Sequence, residues 1–241
     1  TIYFAENCKD YTFVENLYKF ILAQKNSFIF ESVEKGKIRG RYTIFGKKPD
    51  KIWEFNDNNS FLYKDDKKRK ISGLPKRIIE KIIEEFKFKI PKELPQISSL
   101  ISGYFSYDII RYNEKIPNNC KDDLKLPDTR LLRPTILVIH DNLKKKIFYI
   151  YNCFCEEKIS NYKLRYNEIL NELEYNLFLS NNSFYEEIKK NKKVSKIKSD
   201  ITKKQFINNV KKAKYYIKIG DIFQVVLSQR FETNLNKKPI E

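Results

Sequence analysis

The sequence lacks methionine entirely and has only one histidine, His140, among its 241 residues. One histidine and four cysteines give little support to a zinc site. Cys153 and Cys155 stand two residues apart in an apolar run, so we expect them on one face of a strand as free, reduced side chains.

Long hydrophobic runs are also missing. No segment approaches the roughly 20 consecutive apolar residues of a membrane span. The N-terminal residues TIYFAENCKD lack the basic region, apolar run and small-residue cleavage site of a signal peptide. We therefore expect no membrane partner and a cytoplasmic location.

Acidic residues are too few to balance the basic ones. The chain has 48 Lys and Arg against 31 Asp and Glu, which gives a formal net charge of +17. Such a charge suggests a nucleic-acid partner. The lysines, however, are spread through almost every segment, often beside Glu, and no nucleic-acid-binding motif is recognisable. A general lysine bias explains the charge equally well, so we expect no nucleic-acid partner.

Position 1 is threonine rather than methionine. The sequence begins directly on an apolar run and stops ten residues after a strongly predicted strand at 223–231. We interpret it as a fragment of a longer protein, cut at both ends.

Hairpins and helices come in clusters rather than in strict alternation, which favours an α+β fold of mostly antiparallel sheets with flanking helices. The segment 181–201 is rich in Ser, Asn and Lys and is predicted to be a linker. It separates a predicted domain at 1–180 from the incomplete start of a second domain at 202–241. Strands are predicted at 2–5, 27–33, 42–45, 51–55, 60–64, 100–107, 134–140 and 146–154, and helices at 14–22, 75–86, 108–112 and 161–173.

The segment 202–231 carries the most specific local pattern. Thr202 and Gln205 form a capping-box pair, apolar residues then recur at helical spacing, and Gly220 is placed to end the helix. A strand is predicted at 223–231, with Phe223 on its core face and Gln224 on a polar face. Periodicity alone is equally typical of an ordinary helix–strand unit with one solvated face.

A second pattern lies in the predicted hairpin at 28–46. Glu31 offers a carboxylate, Ser32 a hydroxyl and Arg41 a guanidinium beside a surface rich in Phe and Ile. A zwitterionic amino acid needs an anion for its ammonium group, donors for its carboxylate and an apolar slot. The alternative is a hairpin with a surface ion pair.

Both patterns resemble one family. The sequence AKYYIKIGDIFQVVLSQRF at 213–231 resembles the segment that opens the chorismate-binding domain of anthranilate synthase component I, within the wider group of chorismate-utilising enzymes. In that family a Leu-Leu-Glu-Ser motif opens the tryptophan feedback site. Here Ile29-Phe30-Glu31-Ser32 takes its place, and Gly40-Arg41-Tyr42 also fits. The resemblance implies that Ser32 contacts tryptophan, with Glu31 and Arg41 nearby.

The segment SGYFSYDIIRYNE at 102–114 also resembles this family, through Gly103, Tyr104, Tyr107, Asp108, Arg111 and Glu114. Asp108 and Arg111 are one helical turn apart and are predicted to pair. We interpret this segment as structural, at a packing surface between domains.

The residue type at position 224 distinguishes the reactions of this group of enzymes. Isochorismate and salicylate synthases carry a lysine at the equivalent position, where it acts as the base that activates water. A glutamine amide cannot take up a proton near neutral pH. Gln224, as a wall of the active site, therefore favours an enzyme whose nucleophile is ammonia.

The resemblance implies conversion of chorismate and ammonia to anthranilate and pyruvate, the first step of tryptophan biosynthesis, with Mg²⁺ required and L-tryptophan as inhibitor. Ammonia would come from glutamine through an amidotransferase partner, component II. The residues that bind magnesium and most of chorismate are expected downstream of Glu241, so this chain alone is expected to be inactive. Aminodeoxychorismate synthase component I and a non-catalytic tryptophan-binding module remain as alternatives.

Overall fold

The computed structural model describes residues 2–7, 25–31, 40–57, 59–86, 89–154, 163–164, 166–168, 170–171 and 196–234. The chain divides into two compact units, Thr1–Asn181 and Asn182–Glu241. The predicted α+β class is confirmed: most of the described structure is antiparallel sheet, with few helices.

The larger unit contains one antiparallel sheet of eight strands, in the order β1-β8-β7-β3-β4-β5. Two short strands attach to its centre, because β2 pairs with β3 and β6 pairs with β7. The strands are β1 Ile2–Asn7, β2 Phe28–Phe30, β3 Tyr42–Asn56, β4 Asn59–Lys64, β5 Lys67–Ile71, β6 Ser102–Phe105, β7 Thr129–Asp141 and β8 Lys146–Tyr151.

The central strand β3 is longer than predicted. The predicted strands at 42–45 and 51–55 are one strand, which continues through Gly46 and shifts register between Pro49 and Lys51. The prediction that the first strand ends at residue 45 is therefore wrong. The ring of Phe28 on β2 lies directly over Gly46, where a Cβ atom would come within 2.2 Å of the ring. Glycine is needed here because an aromatic ring covers the strand.

The sequence analysis missed β5 altogether. Its sequence, KKRKI, has no apolar alternation, and its first four residues are exposed. Such a charged strand is typical of a sheet edge, where lysine discourages pairing with another molecule.

Helix α1, Pro75–Glu85, begins at a proline, whose fixed φ suits the first helical position. Ile82 joins a core cluster on the sheet that includes Trp53, Phe55, Leu62 and Leu131. A second cluster holds Leu94, Leu137, Ile139, Phe148 and Ile150. Each fully buried side chain of this size stabilises the fold by about 1.5–3 kcal/mol relative to exposure.

The smaller unit contains helix α2, Lys203–Lys218, and a two-residue ladder of β9, Lys198–Ser199, with β10, Phe231–Glu232. The capping box is confirmed, since Gln205 N donates to the Thr202 side chain and the Gln205 side chain accepts from Thr202 N. Gly220 has φ +83°. Asp221 N donates to Tyr216 O, and Gly220 N donates to Ile217 O, which together form a Schellman motif.

The strand predicted at 223–231 is wrong over most of its length. Only Phe231 and the following residue join a ladder, and residues 222–230 are not part of a strand. The alternation of faces also fails, because Phe223 is 93% exposed whereas Ile222, Val225 and Leu227 face α2. Apolar alternation predicts a strand only where a neighbouring strand supplies the hydrogen bonds.

Several predictions concern segments that the structure describes only in part or not at all. The predicted helix at 14–22 lies outside the described residues, as does most of the predicted linker at 181–201. The described residues between 163 and 171 are helical, in agreement with the helix predicted at 161–173. Cys120 and Cys153 are not in disulfides, and Cys155 lies outside the described residues.

Candidate functional site

Two of the residues predicted to bind an amino acid, Glu31 and Arg41, lie at one end of the β2–β3 pair. Phe30, the last residue of β2, pairs with Ile44 on β3, and the exposed Glu31 follows it directly. Arg41 immediately precedes β3, so the end of one strand lies beside the beginning of the other. Ser32 lies outside the described residues. The structure therefore places Glu31 and Arg41 at the same end of this hairpin.

Arg41 is held by a partner that the sequence analysis missed. Its Nε lies 3.1 Å from Oδ1 of Asp141, and its Nη2 lies 2.7 Å from Oδ2. The Asp141 side chain is 1% exposed and the Arg41 side chain 30%. Two backbone N–H groups, from Leu143 and Lys144, also donate to Oδ1 at 3.0 Å each. This carboxylate is therefore well satisfied, and its pair with Arg41 ties the start of β3 to the end of β7.

The hydrogen bonds determine the charge of this pair. Burial alone would raise the pKa of the Asp141 carboxyl, but the donors Arg41, Lys144 and Leu143 outweigh it and hold that pKa below its ordinary value. The hydrogen bond to Asp141 raises the pKa of Arg41. Both groups are charged at neutral pH. The Nη1 group of Arg41 donates to no described residue.

Aromatic rings surround this end of the hairpin. The rings of Phe28 and Phe30 lie 4.8 Å apart between centroids, and Phe30 is about half exposed. The Arg41 guanidinium carbon lies 4.7 Å from the centroid of Tyr42. Burial, then the Asp141 carboxylate, raise the pKa of Tyr42, so its hydroxyl stays protonated at neutral pH. The arrangement combines a carboxylate, a guanidinium and apolar ring surface.

His140 does not take part in this chemistry. It pairs with Thr43 in the β3–β7 ladder, is buried, and has no hydrogen-bond partner on either ring nitrogen among the described residues. Burial and then Lys145 lower its pKa, whereas Asp141 raises it. Among the described residues, no group of three or more His, Cys, Asp or Glu side chains is placed to hold a metal ion.

The segment 102–114 makes structural contacts. A Cβ atom on Gly103 would come within 2.0 Å of the Arg130 carbonyl oxygen, so glycine allows β6 to approach β7. The predicted pair of Asp108 and Arg111 is confirmed, with Nε 2.8 Å from Oδ1. Arg111 also donates to the carbonyls of residues 116 and 117. A place for this segment at a domain interface stays a prediction.

A further charged pair on the sheet was not predicted. Nη1 of Arg130 lies 2.6 Å from Oε1 of Glu54, and the two residues are cross-strand partners. The Tyr63 hydroxyl donates to the other oxygen of Glu54, and Nη2 of Arg130 donates to Asn26 at 2.7 Å. Because the charged groups of Glu54 and Arg130 have partners on the sheet and at Asn26, we interpret this pair as structural.

Gln224 lies in the smaller unit, in the segment without regular secondary structure that follows α2, and is exposed. Its neighbour Val225 and also Leu227 line a groove of about 200 Å³ together with Ala213 and Tyr216 of α2. The amide of Gln224 is therefore outside the apolar interior. None of the helices in the described part of the chain has the length and apolarity to cross a membrane.

The sequence matches a known protein family and several of its members. Residues 25–241 match the protein family described as chorismate binding enzyme. The anthranilate synthase component 1 of Acetivibrio thermocellus is 36% identical over 218 residues, which are 88% of this chain and 44% of that protein. The protein of the same name from Cereibacter sphaeroides is 30% identical over 235 residues, 94% of this chain and 46% of that protein.

The fold has a solved counterpart. The crystal structure of anthranilate synthase component I from Streptococcus pneumoniae TIGR4 matches with a TM-score of 0.65 and 23% identity, over 92% of this chain and 47% of that one. The chain thus spans about half the length of the relatives it matches. Because the family match extends over nearly the whole sequence, the chain belongs to the chorismate binding enzymes.

Proposed function

We propose that this chain is part of the large subunit of an anthranilate synthase, which converts chorismate and ammonia to anthranilate and pyruvate. The observation that carries the proposal is the 36% identity, over 88% of this chain, to an anthranilate synthase component 1. The Glu31-Ser32 and Gly40-Arg41-Tyr42 segments support it, since they resemble the feedback site of that family. Such an enzyme catalyses the first step of tryptophan biosynthesis, and we propose that it acts in the cytoplasm.

The proposal assigns the reaction to a longer polypeptide. The chain spans 44% of the Acetivibrio thermocellus relative, and its described residues offer no metal-binding group that fits Mg²⁺. We therefore place the magnesium ligands and most chorismate contacts in the other half of such a protein. Ammonia would reach it from glutamine through an amidotransferase partner, component II.

Gln224 is proposed to form a wall of the chorismate site in the complete enzyme. Its amide can donate and accept hydrogen bonds but cannot act as a base near neutral pH. Ammonia needs no base of the kind that activates water. In the complete enzyme, we expect Gln224→Lys to lower the rate of anthranilate formation. An unchanged rate would indicate that Gln224 is not part of the chorismate site.

The end of the β2–β3 hairpin is proposed as the tryptophan feedback site. Glu31 would accept hydrogen bonds from the ligand ammonium group, Ser32 would contact the ligand, and Nη1 of Arg41 would donate to its carboxylate. The pair with Asp141 would hold Arg41 in place. Titration calorimetry with L-tryptophan on the complete enzyme tests this, with Glu31→Gln against the matched surface variant Glu84→Gln. Equal affinity of the two variants would count against the site.

The activity itself is tested by the fluorescence of anthranilate. We expect it to develop when the complete polypeptide meets chorismate, ammonium and Mg²⁺, and not when the 241-residue chain alone does. Anthranilate formed by the chain alone would contradict the proposal that the magnesium ligands and most chorismate contacts lie in the other half of the protein. Accumulation of aminodeoxychorismate instead would identify the folate-pathway enzyme. Tryptophan binding without any turnover of chorismate would identify a non-catalytic binding module.

A further inference from the structure

A cavity of about 280 Å³ lies between helix α1 and strands β3 to β5. Its floor includes Trp53 and Leu62, which are 7% and 5% exposed. Ile82 of α1 closes one side. This volume lies just below the roughly 300 Å³ at which ligand cavities in proteins usually begin, so the space can hold only a small molecule. It shares no residue with the hairpin site or with Gln224.

The sheet register and the helix build this cavity. Trp53 pairs with Leu62, and Leu62 pairs with Arg69, so these three side chains form one row across β3, β4 and β5. Ile78 and Ile82 of α1 line it at a spacing of one helical turn. Apolar side chains of the core therefore lie beside charged side chains of the same strands.

The charged groups that line the cavity are mostly basic. They are four cations, Lys51, Arg69, Lys81 and Arg133, and one carboxylate, Glu85. Glu85 lies 3.6 Å from Lys81 in an exposed pair, which contributes little attraction in water.

Two of the four cations are neighbours on the sheet. Lys51 and Arg133 are direct cross-strand partners in the β3–β7 ladder. Like charges in this position repel each other and destabilise a sheet. Arg133 pairs with Asp50, a residue outside the cavity lining. A ligand that brings negative charge into the cavity is favoured electrostatically, because the cations outnumber the single carboxylate of the lining.

We propose that this cavity binds a small organic carboxylate. Its apolar body lies against Trp53 and Leu62, and its carboxylate points towards Arg69 and Lys81. A neutral molecule of the same shape would gain the apolar contact but not the charge-assisted hydrogen bonds. This inference does not depend on the proposed synthase activity.

Trp53 provides the measurement, because it is the single tryptophan of the chain. The 241-residue chain is titrated with cyclohexanecarboxylate and, separately, with the uncharged cyclohexanecarboxamide, at ionic strength held constant with sodium chloride. We expect a saturable change of Trp53 fluorescence with the carboxylate and an affinity for the amide about tenfold weaker, the effect of one or two charged hydrogen bonds.

Matched variants locate the anion. Arg69→Gln and Lys81→Gln are each expected to raise the Kd for cyclohexanecarboxylate roughly twofold to fivefold, the range typical of exposed charge pairs. Lys70→Gln on β5 and Lys76→Gln on α1 remove the same charge from the same elements outside the lining, and are expected to leave the Kd within about twofold.

Three results would overturn the proposal. The first is Trp53 fluorescence that does not respond to the carboxylate. The second is equal affinity for the amide, a comparison that needs no variant and so does not depend on any variant folding. The third is an equal loss in the Lys70 and Lys76 variants, which would indicate a general effect of net charge.

Discussion

Replacing Arg41 by glutamine tests a contact that was not predicted, the pair of Arg41 and Asp141. The change removes the three hydrogen bonds from the guanidinium to Asp141, a carboxylate that is 1% exposed. The glutamine side chain is too short and uncharged to replace them. The carboxylate would keep only the backbone donors of Leu143 and Lys144.

The expected loss follows from these contacts. Hydrogen bonds to a charged group contribute about 1.5–3 kcal/mol, and breaking a fully buried ion pair costs about 3–5 kcal/mol. Arg41 is 30% exposed, and the two backbone donors remain, so the lower range applies. We expect Arg41→Gln to lower the free energy of unfolding by about 2 kcal/mol.

Urea unfolding followed by Trp53 fluorescence measures this loss, because Trp53 lies in the same unit as the pair. The control is Lys81→Gln, which breaks the exposed pair with Glu85 and should cost less than about 0.5 kcal/mol. Asp141→Asn should cost less than Arg41→Gln, since it leaves no buried charge behind.

The pH dependence of the deficit adds a second check. The pKa of Asp141 is lowered in the folded protein, so its stabilising contribution is present above the unfolded value of about 3.9 and is lost as the pH falls. The deficit of Arg41→Gln should therefore shrink below about pH 4. A deficit at neutral pH no larger than that of Lys81→Gln would refute the reasoning.

Three further predictions test other parts of the fold. Gly103→Ala should cost a few kcal/mol in urea unfolding, because its Cβ would meet the backbone carbonyl of Arg130 at 2.0 Å; full stability would mean that β6 and β7 are further apart. His140 has a lowered pKa when folded, so stability should fall as the pH drops below about 6.5, by at most about 1.4 kcal/mol per pH unit. His140→Phe should flatten that slope, and an unchanged slope would assign it to another group. Thr202→Ala should cost about 1 kcal/mol of helix stability through loss of the cap on Gln205 N, measured as faster hydrogen exchange in the first turn of α2; unchanged exchange would contradict the cap.

The sequence predicted best those features whose contacts span only a few residues. The capping box of Thr202 and Gln205, the helix end at Gly220 and the pair of Asp108 and Arg111 all join residues within one or two helical turns. Their geometry follows from the helix itself, so residue types at the right spacing were enough. The α+β class followed in the same way from clusters of local patterns.

The candidate site could be predicted only in part. The residue types of Glu31, Ser32 and Arg41 indicated chemistry for an amino acid, and the structure brings Glu31 and Arg41 to one end of a hairpin. Asp141 was missed, because it lies 100 positions from Arg41 and had only the character of a turn residue in the sequence.

By itself, the sequence determined the local elements, their caps and the family resemblance, since these depend on neighbouring side chains and on residue identity. Tertiary structure decided which strands found partners. The ring of Phe28 made Gly46 an interior position of β3, and the charged β5 became the edge of the sheet. The segment at 223–231 has the alternation of a strand but, among the described residues, only its last position is paired. The reason is that strand hydrogen bonds and buried ion pairs join residues far apart in the chain, and only the folded chain brings such partners together.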